Sequence, residues 1–379
     1  MEGTDPMPDY ETTTAPGMSP QITYLDAPEF VWWDITYACN LSCKHCYSSS
    51  GRRSQDELST AEARDLVSQL SAMRVCFIYF LGGEPFMRAD LLGILEFCAA
   101  SRVGVMISTN GWFVTADLAR RLHDCGVHSV RVSVDGYRAE THDWFRGVQG
   151  SHRKAIGAIE HLVEAGIDVV GANMTITQRN IGELESLVRF LASIGVREMQ
   201  CAPISETGRA AANADLFLAP EQHGRLASIL QDVRAEVQPT MNLFAVDGLM
   251  DKPCTRCVGE GRVHPVLMGC GSGRYGCCID PAGRILPCLL LREPVAGDLR
   301  KDSFASIWQH SPVFQESRRP KEDEACRECR YRSVCARECP RSESQRQVQP
   351  SDRRQRIGAV LASQEWGYRP CFSGPCGGS

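Results

Sequence analysis

Three cysteines near the amino end constrain this chain more than any other feature. Cys39, Cys43 and Cys46 have the spacing CxxxCxxC and directly follow an alternating, strand-like run from Phe30 to Tyr37. Three thiolates can hold three irons of a four-iron cluster, which leaves one iron open for a reactant, whereas four protein ligands would close the cluster. The alternative is a zinc site or a set of buried thiols. Zinc usually takes four ligands, and no fourth ligand stands beside this group.

The composition favours a cytoplasmic metalloprotein. The chain has 379 residues, 43% of them hydrophobic, and its net charge of −5 is spread along the sequence, so neither nucleic acid nor a membrane is an expected partner. No apolar run reaches the length of about 18 residues that a membrane-spanning helix needs. The 19 cysteines are an odd number in a large chain without an export signal, which indicates thiolates that serve metals in a reducing compartment.

Short apolar runs alternate with amphipathic segments from residue 30 to about residue 203, which predicts an α/β fold. The expected strands are Phe30–Tyr37, Val75–Leu81, Val103–Ser108, Ser129–Val134, Asp168–Ile176 and Arg197–Ala202. Ser59 and Glu62 form a capping box for the first helix, and Asn180 is placed to cap a helix that ends before Gly195. About six β/α units predict a partial (β/α)6 TIM-type barrel, and a doubly wound open sheet is the alternative.

The candidate site residues follow the predicted strands, where the chemistry of such barrels gathers. Gly82-Gly83-Glu84-Pro85 comes after the second strand, Asn110 after the third, and Ser133 and Asp135 end the fourth. Together with the cysteine triplet, these segments resemble the radical S-adenosylmethionine (radical SAM) superfamily. The resemblance implies that the open iron chelates the amino and carboxylate groups of SAM, and that an added electron splits SAM into methionine and a 5′-deoxyadenosyl radical.

The same resemblance implies the SAM-binding roles of eight residues. Glu84 would accept from the amino group, beside a turn in which Gly82 and Gly83 let the backbone approach. Arg146 could meet the carboxylate bidentately. The segments that contain Asn110, Ser133 and Asp135 match family segments, the last two matching the one that contacts ribose, and His45 would stack on or bond to adenine.

The second half of the chain carries two further cysteine patterns. The first is Cys270, twelve residues, Gly283, four residues and Cys288, and the second is Cys326-x2-Cys329-x5-Cys335-x3-Cys339. Asp280-Pro-Ala-Gly283 is a hairpin-turn signal that would bring flanking ligands together. The two patterns resemble the SPASM domain, a Cys-rich C-terminal extension that binds two auxiliary [4Fe-4S] clusters. Zinc is the alternative for the second pattern.

By this resemblance the ligands interleave between the two auxiliary clusters. The first cluster would be held by Cys270, Cys277, Cys288 and Cys339. The second would be held by Cys326, Cys329, Cys335 and a final downstream cysteine, for which we favour Cys371, with Cys376 as the alternative. With the cluster at the amino end, the expected cofactors are three [4Fe-4S] clusters and SAM.

Three segments are expected: a disordered tail over residues 1–27, a radical SAM partial barrel over 28–236, and a SPASM domain over 237–379. The Ile-Thr-Tyr-Ala-Cys-Asn and Ser-Val-Asp-Gly segments, with the stretch from Cys270 to Cys288, look most like the mycofactocin maturase group. The resemblance implies an oxidoreductase that abstracts hydrogen from a peptide, giving a crosslink, thioether or decarboxylated natural product. The alternatives are an enzyme acting on a sugar, nucleoside or tetrapyrrole, and a non-catalytic metal-binding interaction protein.

Two partners besides the peptide are expected. The cluster chemistry needs an electron donor such as flavodoxin or ferredoxin. A leader-binding module of on the order of 80 residues would not fit ahead of the barrel. A separate carrier protein, or a substrate without a leader, is therefore expected.

Overall fold

A computed structural model describes residues 24–238, 240–245 and 271–319. Within these ranges a ten-stranded sheet has the order β10-β9-β8-β1-β2-β3-β4-β5-β6-β7. The strands are β1 Phe30–Thr36, β2 Phe77–Gly82, β3 Gly104–Thr109, β4 Ser129–Ser133, β5 Val169–Ile176, β6 Glu198–Pro203, β7 Asn242–Ala245, β8 Gly276–Ile279, β9 Arg284–Leu286 and β10 Gly297–Asp298. Strands β1 to β7 are parallel neighbours in chain order, β8 pairs with β1 in parallel, and β9 and β10 continue antiparallel.

The order of the strands decides between the two architectures that the sequence allows. A doubly wound sheet would reverse direction and place later β/α strands on both sides of the first, but β2 to β7 all extend from one edge of β1. Right-handed crossovers in one direction put the connecting helices on the same face, so that the sheet forms a barrel wall. The predicted partial TIM-type barrel is therefore confirmed.

Four strands of the sheet, β7 to β10, were not among the six predicted ones. Strand β7 has only four residues, too few for a periodic pattern to stand out. Strand β8 reads Gly-Cys-Cys-Ile, and Cys277 within it is a predicted cluster ligand. The hairpin expected around Gly283 is confirmed, because this glycine has a φ of +86° between β8 and the antiparallel β9.

Helices connect the parallel strands and cover the sheet. They are α1 Thr60–Ala72, α2 Leu91–Ala100, α3 Ala116–Asp124, α4 Ala139–Arg146, α5 Ser151–Glu164, α6 Leu184–Ser193, α7 Pro220–Val237, α8 Phe304–His310 and α9 Pro312–Arg318. The capping box of α1 is confirmed, since the Glu62 amide donates to the Ser59 hydroxyl while the Glu62 carboxylate accepts from the Ser59 backbone. Within the described ranges, no helix combines the length and the apolarity needed to cross a membrane.

Asn180 has a different role from the predicted one. A short 3-10 turn, Ile181–Glu183, precedes α6, and the Asn180 side chain makes no cap hydrogen bond. Its amide nitrogen instead donates to the carbonyls of Asp135 and Thr175, at 2.8 and 2.9 Å. The side chain therefore joins the ends of two neighbouring strands, an interaction that local sequence cannot reveal.

Alternate residues of the strands separate two faces of the sheet. On β1, Val31, Trp33 and Ile35 are fully buried in the main hydrophobic cluster, which the helices share. The residues between them, Trp32 and Asp34, point to the inner side of the barrel. This alternation directs polar side chains inward, toward the space beneath the predicted site.

Candidate active site

The predicted motifs meet at the carboxyl edge of the barrel. The Gly83 amide donates to the Thr36 carbonyl and the Glu84 amide to the Ala38 carbonyl, both at 2.8 Å, so the glycine turn lies against the chain that leads to Cys39. The Asn110 amide donates to the Glu84 carboxylate at 2.8 Å. The ends of β1, β2 and β3 are thereby fixed to one another, as the predicted fold requires.

Backbone hydrogen bonds hold the cysteine loop against the end of α4. The amides of Ser42 and Lys44 donate to the carbonyls of Arg146 and Phe145, at 3.2 and 2.9 Å. The Cys39 amide donates to the Gly51 carbonyl at 3.1 Å, which closes the loop at its base. The segment that carries the three thiols is therefore positioned by the fold on both sides.

Arg209 completes this support, and sequence reasoning missed it. Its guanidinium donates to the carbonyls of Cys43 and Ser50, at 2.8 and 2.7 Å, and its backbone amide donates to the Cys46 carbonyl at 2.9 Å. The residue lies 166 positions after Cys43, in a 3-10 turn beyond β6. No local pattern marks it, since the partners are backbone groups of a distant loop.

Glycines let other backbone segments approach the cysteine loop closely. A Cβ at Gly83 would come within 2.1 Å of the Ala38 carbonyl oxygen, and one at Gly208 within 2.3 Å of the Cys46 carbonyl oxygen. Real Cβ contacts are never this short, so either substitution would force the backbone apart. The close approach of these backbone segments to the cysteine loop therefore requires glycine, which has no side chain, at both positions.

The three sulfurs lie among hydrogen-bond donors. The Arg146 Nη1 atom is 3.7 Å from the Cys43 sulfur, and the Asn110 side-chain nitrogen is 4.0 Å from the Cys39 sulfur. Such donors stabilise thiolates that carry iron. Burial raises the pKa of the Cys39 thiol to about 11, so iron has to displace a proton as it binds. The donor set and its surroundings fit a cluster held by three thiolates.

Asp135, His45 and Arg146 form a buried ionic group beside the cysteine loop. One carboxylate oxygen of Asp135 lies 2.7 Å from Arg146 Nη2 and 3.2 Å from His45 Nε2. Burial alone would raise the pKa of Asp135, but Arg146 and His45 together hold it below its usual value. Burial lowers the pKa of His45 to about 4, so this ring is neutral at pH 7. Three predicted SAM contacts are therefore already joined to one another through Asp135.

Several buried polar atoms around this group have no hydrogen-bond partner among the described residues, Arg146 Nε, His45 Nδ1 and Asn40 Nδ2 among them. Since the neutral His45 presents Nε2 to Asp135, its proton is assigned there and Nδ1 is left as an acceptor. Unpartnered buried donors and acceptors call for a bound polar group. They fit an amino acid or nucleoside ligand such as SAM.

Glu84 is engaged by the neighbouring strand. Its carboxylate accepts from the Thr109 hydroxyl and the Asn110 amide, both at 2.8 Å, and from the Phe86 amide at 3.3 Å. Burial raises the pKa of Glu84 to about 7. The structure therefore places this residue between β2 and β3, and acceptance from the SAM amino group stays a prediction.

The comparisons with known proteins agree with this arrangement. Residues 33–191 match the model of the Radical SAM superfamily, and residues 270–330 match SPASM, an iron-sulfur cluster-binding domain. Mycofactocin maturase MftC of Mycolicibacterium smegmatis is 34% identical over 319 residues, which cover 83% of this chain and 79% of the relative. The chain belongs to the radical SAM/SPASM enzymes.

Some relatives of this radical SAM/SPASM enzyme are named for a different activity from that of MftC. The AdoMet-dependent heme synthase of Oleidesulfovibrio alaskensis is 29% identical over 319 residues, 82% of each protein. Among solved structures, SuiB of Streptococcus suis bound to S-adenosylmethionine has a TM-score of 0.68 at 17% identity, over 87% of this chain and 76% of that one. SuiB has also been solved with its precursor peptide SuiA. At this identity the likeness to SuiB concerns the fold.

The SPASM segment of this radical SAM/SPASM enzyme begins on the barrel itself, because β8 pairs with β1. Of the predicted auxiliary ligands, Cys277 on β8 and Cys288 after β9 belong to the described ranges. The amide of Leu290 donates to the Cys288 sulfur at 3.4 Å, an arrangement suited to a metal-bound thiolate. The other predicted ligands lie outside the described residues: Cys270, Cys326, Cys329, Cys335, Cys339 and Cys371, with the alternative Cys376.

A polar network that the sequence did not suggest joins the barrel to this segment. Asp34 on β1 is fully buried and accepts from the Tyr47 hydroxyl at 2.7 Å and from Arg292 at 3.1 Å. Arg292 also donates to the Tyr37 hydroxyl at 2.8 Å. Since Tyr47 directly follows Cys46, the network connects the cysteine loop with the chain beyond Cys288.

Proposed function

We propose that this enzyme binds a [4Fe-4S] cluster at Cys39, Cys43 and Cys46, binds SAM at the open iron, and modifies a peptide or peptide-derived substrate. The observation that carries the proposal is the loop of three thiols, held at the carboxyl edge of the barrel with Arg146 and Asn110 as donors toward two of its sulfurs. When bound, the cluster supplies the electron that splits SAM and so provides a radical for hydrogen abstraction.

SAM would be bound by residues that surround this loop. Arg146 Nε and His45 Nδ1 are the unpartnered groups available to a carboxylate and to adenine, while Asp135 keeps both side chains in place. The remaining predicted contacts line the ends of β2, β3 and β4: Gly82, Gly83, Glu84, Asn110 and Ser133. These side chains would bind and orient SAM, and the buried loop would exclude water from it.

Two auxiliary clusters, and hence three [4Fe-4S] clusters in all, are part of the proposal. Support comes from the SPASM match over residues 270–330 and from the sulfur environment of Cys288. The ligands would interleave between the two clusters, as the sequence predicts, with β8 supplying one of them. The proposal also includes two partners that are predicted from the sequence. They are a flavodoxin or ferredoxin as electron donor and a separate carrier protein.

A peptide substrate is favoured by the named relatives and by the inner face of the barrel. The most similar relative described above is named a maturase, and SuiB binds a precursor peptide. Inside the barrel Arg131 donates to Gln200 at 2.9 Å and pairs with Glu198 at 2.8 Å. The Arg131 Nε atom is buried and has no hydrogen-bond partner among the described residues, so this inner layer still offers a donor to a peptide carbonyl.

A tetrapyrrole is the second candidate substrate, because heme synthases are also relatives, at 29% identity. The two candidate substrates, a peptide and a tetrapyrrole, can be distinguished by the products that form. Anaerobic enzyme with SAM and dithionite would be incubated either with peptides encoded by neighbouring short open reading frames or with iron-coproporphyrin. Mass spectrometry of both reactions identifies which class changes mass.

The radical SAM chemistry has its own test. Reconstituted enzyme with dithionite should form 5′-deoxyadenosine from SAM, and replacing Cys39, Cys43 and Cys46 by alanine should abolish it. Cys125→Ala is the matched control, since this thiol lies on a helix end away from the loop. Iron analysis should give about twelve irons per chain for the unaltered enzyme and about eight for the triple variant. Deoxyadenosine from the triple variant, or zinc in place of iron, would refute the proposal.

A further inference from the structure

Neighbouring cysteines on β8 point to opposite faces of the sheet. Cys277 is aligned with Val31 of β1, is fully buried, and belongs to the main hydrophobic cluster with Ile279. That cluster includes Trp308 and Phe314, from the two helices that follow the hairpin. The side chain of Cys277 therefore packs between the sheet and its helices, as a small apolar residue would.

Cys278 points the other way. It is aligned with Trp32 of β1 and pairs with Leu286 of β9, so it shares the inner face of the sheet with Asp34. Cys288 lies two residues beyond Leu286 and has the same parity along the chain. Residues in this diagonal relationship have Cα atoms about 7–8 Å apart and side chains on one face. Two thiols so placed can bind separate irons of one cluster.

The inner position also suits an auxiliary cluster in other respects. Asp34, Arg292 and Cys288 are all ionisable neighbours of Cys278, and of these the Arg292 cation favours a thiolate there. Arg292 brings a cation to the same place, through its hydrogen bonds to Asp34 at 3.1 Å. The Arg292 cation can stabilise a cluster that carries net negative charge, and it also offsets the Asp34 carboxylate beside it. Cys277 packs among apolar side chains of the main cluster, and its charged neighbour Arg318 lies over the rings of Trp308 and Phe314.

We propose that Cys278, and not Cys277, is the ligand that joins Cys288 at the first auxiliary cluster. The inference rests on the proposed function, which requires that cluster, and it replaces the ligand that family resemblance implies. It predicts that the cluster faces the inside of the barrel, where the substrate would bind. Cys277 is then a packing residue of the core.

The test measures cluster content and not turnover. In a background with Cys39, Cys43 and Cys46 replaced by alanine, only auxiliary clusters would bind, about eight irons per chain. Adding Cys278→Ala should remove about four of these irons or leave a three-iron cluster that is visible by electron paramagnetic resonance after oxidation. Adding Cys277→Ala should leave iron and sulfide unchanged.

Serine variants at both positions keep the side-chain volume and serve if an alanine variant misfolds, with far-ultraviolet circular dichroism as the check. Loss of the cluster in the Cys277 variants alone, or unchanged cluster content in all Cys277 and Cys278 variants, would overturn the inference. A triple-alanine background without iron would overturn it too. Deoxyadenosine formation by the unaltered enzyme tests the SAM chemistry separately, so the two failures are distinguishable.

Discussion

Arg292 donates both terminal nitrogens to one carboxylate oxygen of Asp34, at 3.1 Å each, although 258 positions separate the two residues. Asp34 is fully buried on β1, and Arg292 lies beyond the β8–β9 hairpin. Burial raises the pKa of Asp34, and the guanidinium opposes that effect. The pair therefore offsets part of the cost of burying this carboxyl group while it fixes the SPASM segment to the barrel.

Replacing Arg292 by leucine should destabilise the enzyme because it removes the cation and both hydrogen bonds from the buried Asp34 carboxyl group. Since a third of the Arg292 side chain is exposed, we expect a loss of about 2 kcal/mol, below the 3–5 kcal/mol typical of fully buried pairs. Thermal unfolding of the anaerobic protein measures the effect. Arg300→Leu, which breaks an exposed pair with Glu62 at 2.8 Å, is the control and should cost under about 1 kcal/mol. Equal shifts in the two variants would contradict the prediction.

Arg146→Met should lower the reduction potential of the cluster at the cysteine loop. The guanidinium places a positive charge and a donor 3.7 Å from the Cys43 sulfur, and both favour the reduced, more negative cluster. A potentiometric titration followed by electron paramagnetic resonance measures the change. Arg146→Lys retains the charge and should recover part of the shift. An unchanged potential in Arg146→Met would exclude this role.

Glu84 should make the enzyme less stable as the pH rises. Burial raises its folded-state pKa from 4.5 to about 7, so between these values the folded protein holds a proton that the unfolded chain has released. The contribution of Glu84 to the free energy of unfolding is therefore fully present below about pH 4.5. It is lost progressively up to about pH 7, by roughly 3 kcal/mol at most. The measurement is the melting temperature of SAM-free enzyme at pH 5, 6, 7 and 8, compared with Glu84→Gln. Parallel curves for the two proteins would show that Glu84 does not titrate there.

Gly83→Ala should disrupt the site, because the added methyl would lie 2.1 Å from the Ala38 carbonyl oxygen. The glycine turn would have to move away from the chain leading to Cys39, and we expect loss of about four irons per chain together with SAM cleavage. Gly157→Ala is the matched control, since nothing lies within 4 Å of its added methyl and alanine favours the α5 helix. Full iron content in Gly83→Ala would show that the turn can yield.

The sequence predicted those parts of the site that depend on short-range patterns. The cysteine loop, the Gly82-Gly83-Glu84 turn and the Ser133-Val-Asp135 strand end are contiguous, so strand periodicity alone put them at the same edge of the sheet. The sequential βα pattern likewise predicted the barrel. Tertiary structure confirmed the barrel because neighbouring strands pair in order.

The sequence could not predict contacts between distant segments. The hydrogen bonds made by the side chains of Arg209, Arg292 and Asn180 reach backbone or carboxylate groups that only folding brings near. No periodic pattern in the sequence marks such residues.

The sequence by itself determined the spacing of the three thiols and the series of βα units that can present them at one edge of a sheet. Only the tertiary structure decided which charged side chains lie near the thiols of the cysteine loop. It also decided which of Cys277 and Cys278 points to the inside of the barrel. The physical reason is that a strand reverses its side chains at every residue, so the identity of the inner face depends on the strand that pairs with it. For Cys277 and Cys278 that strand is β1, more than 240 residues earlier in the chain.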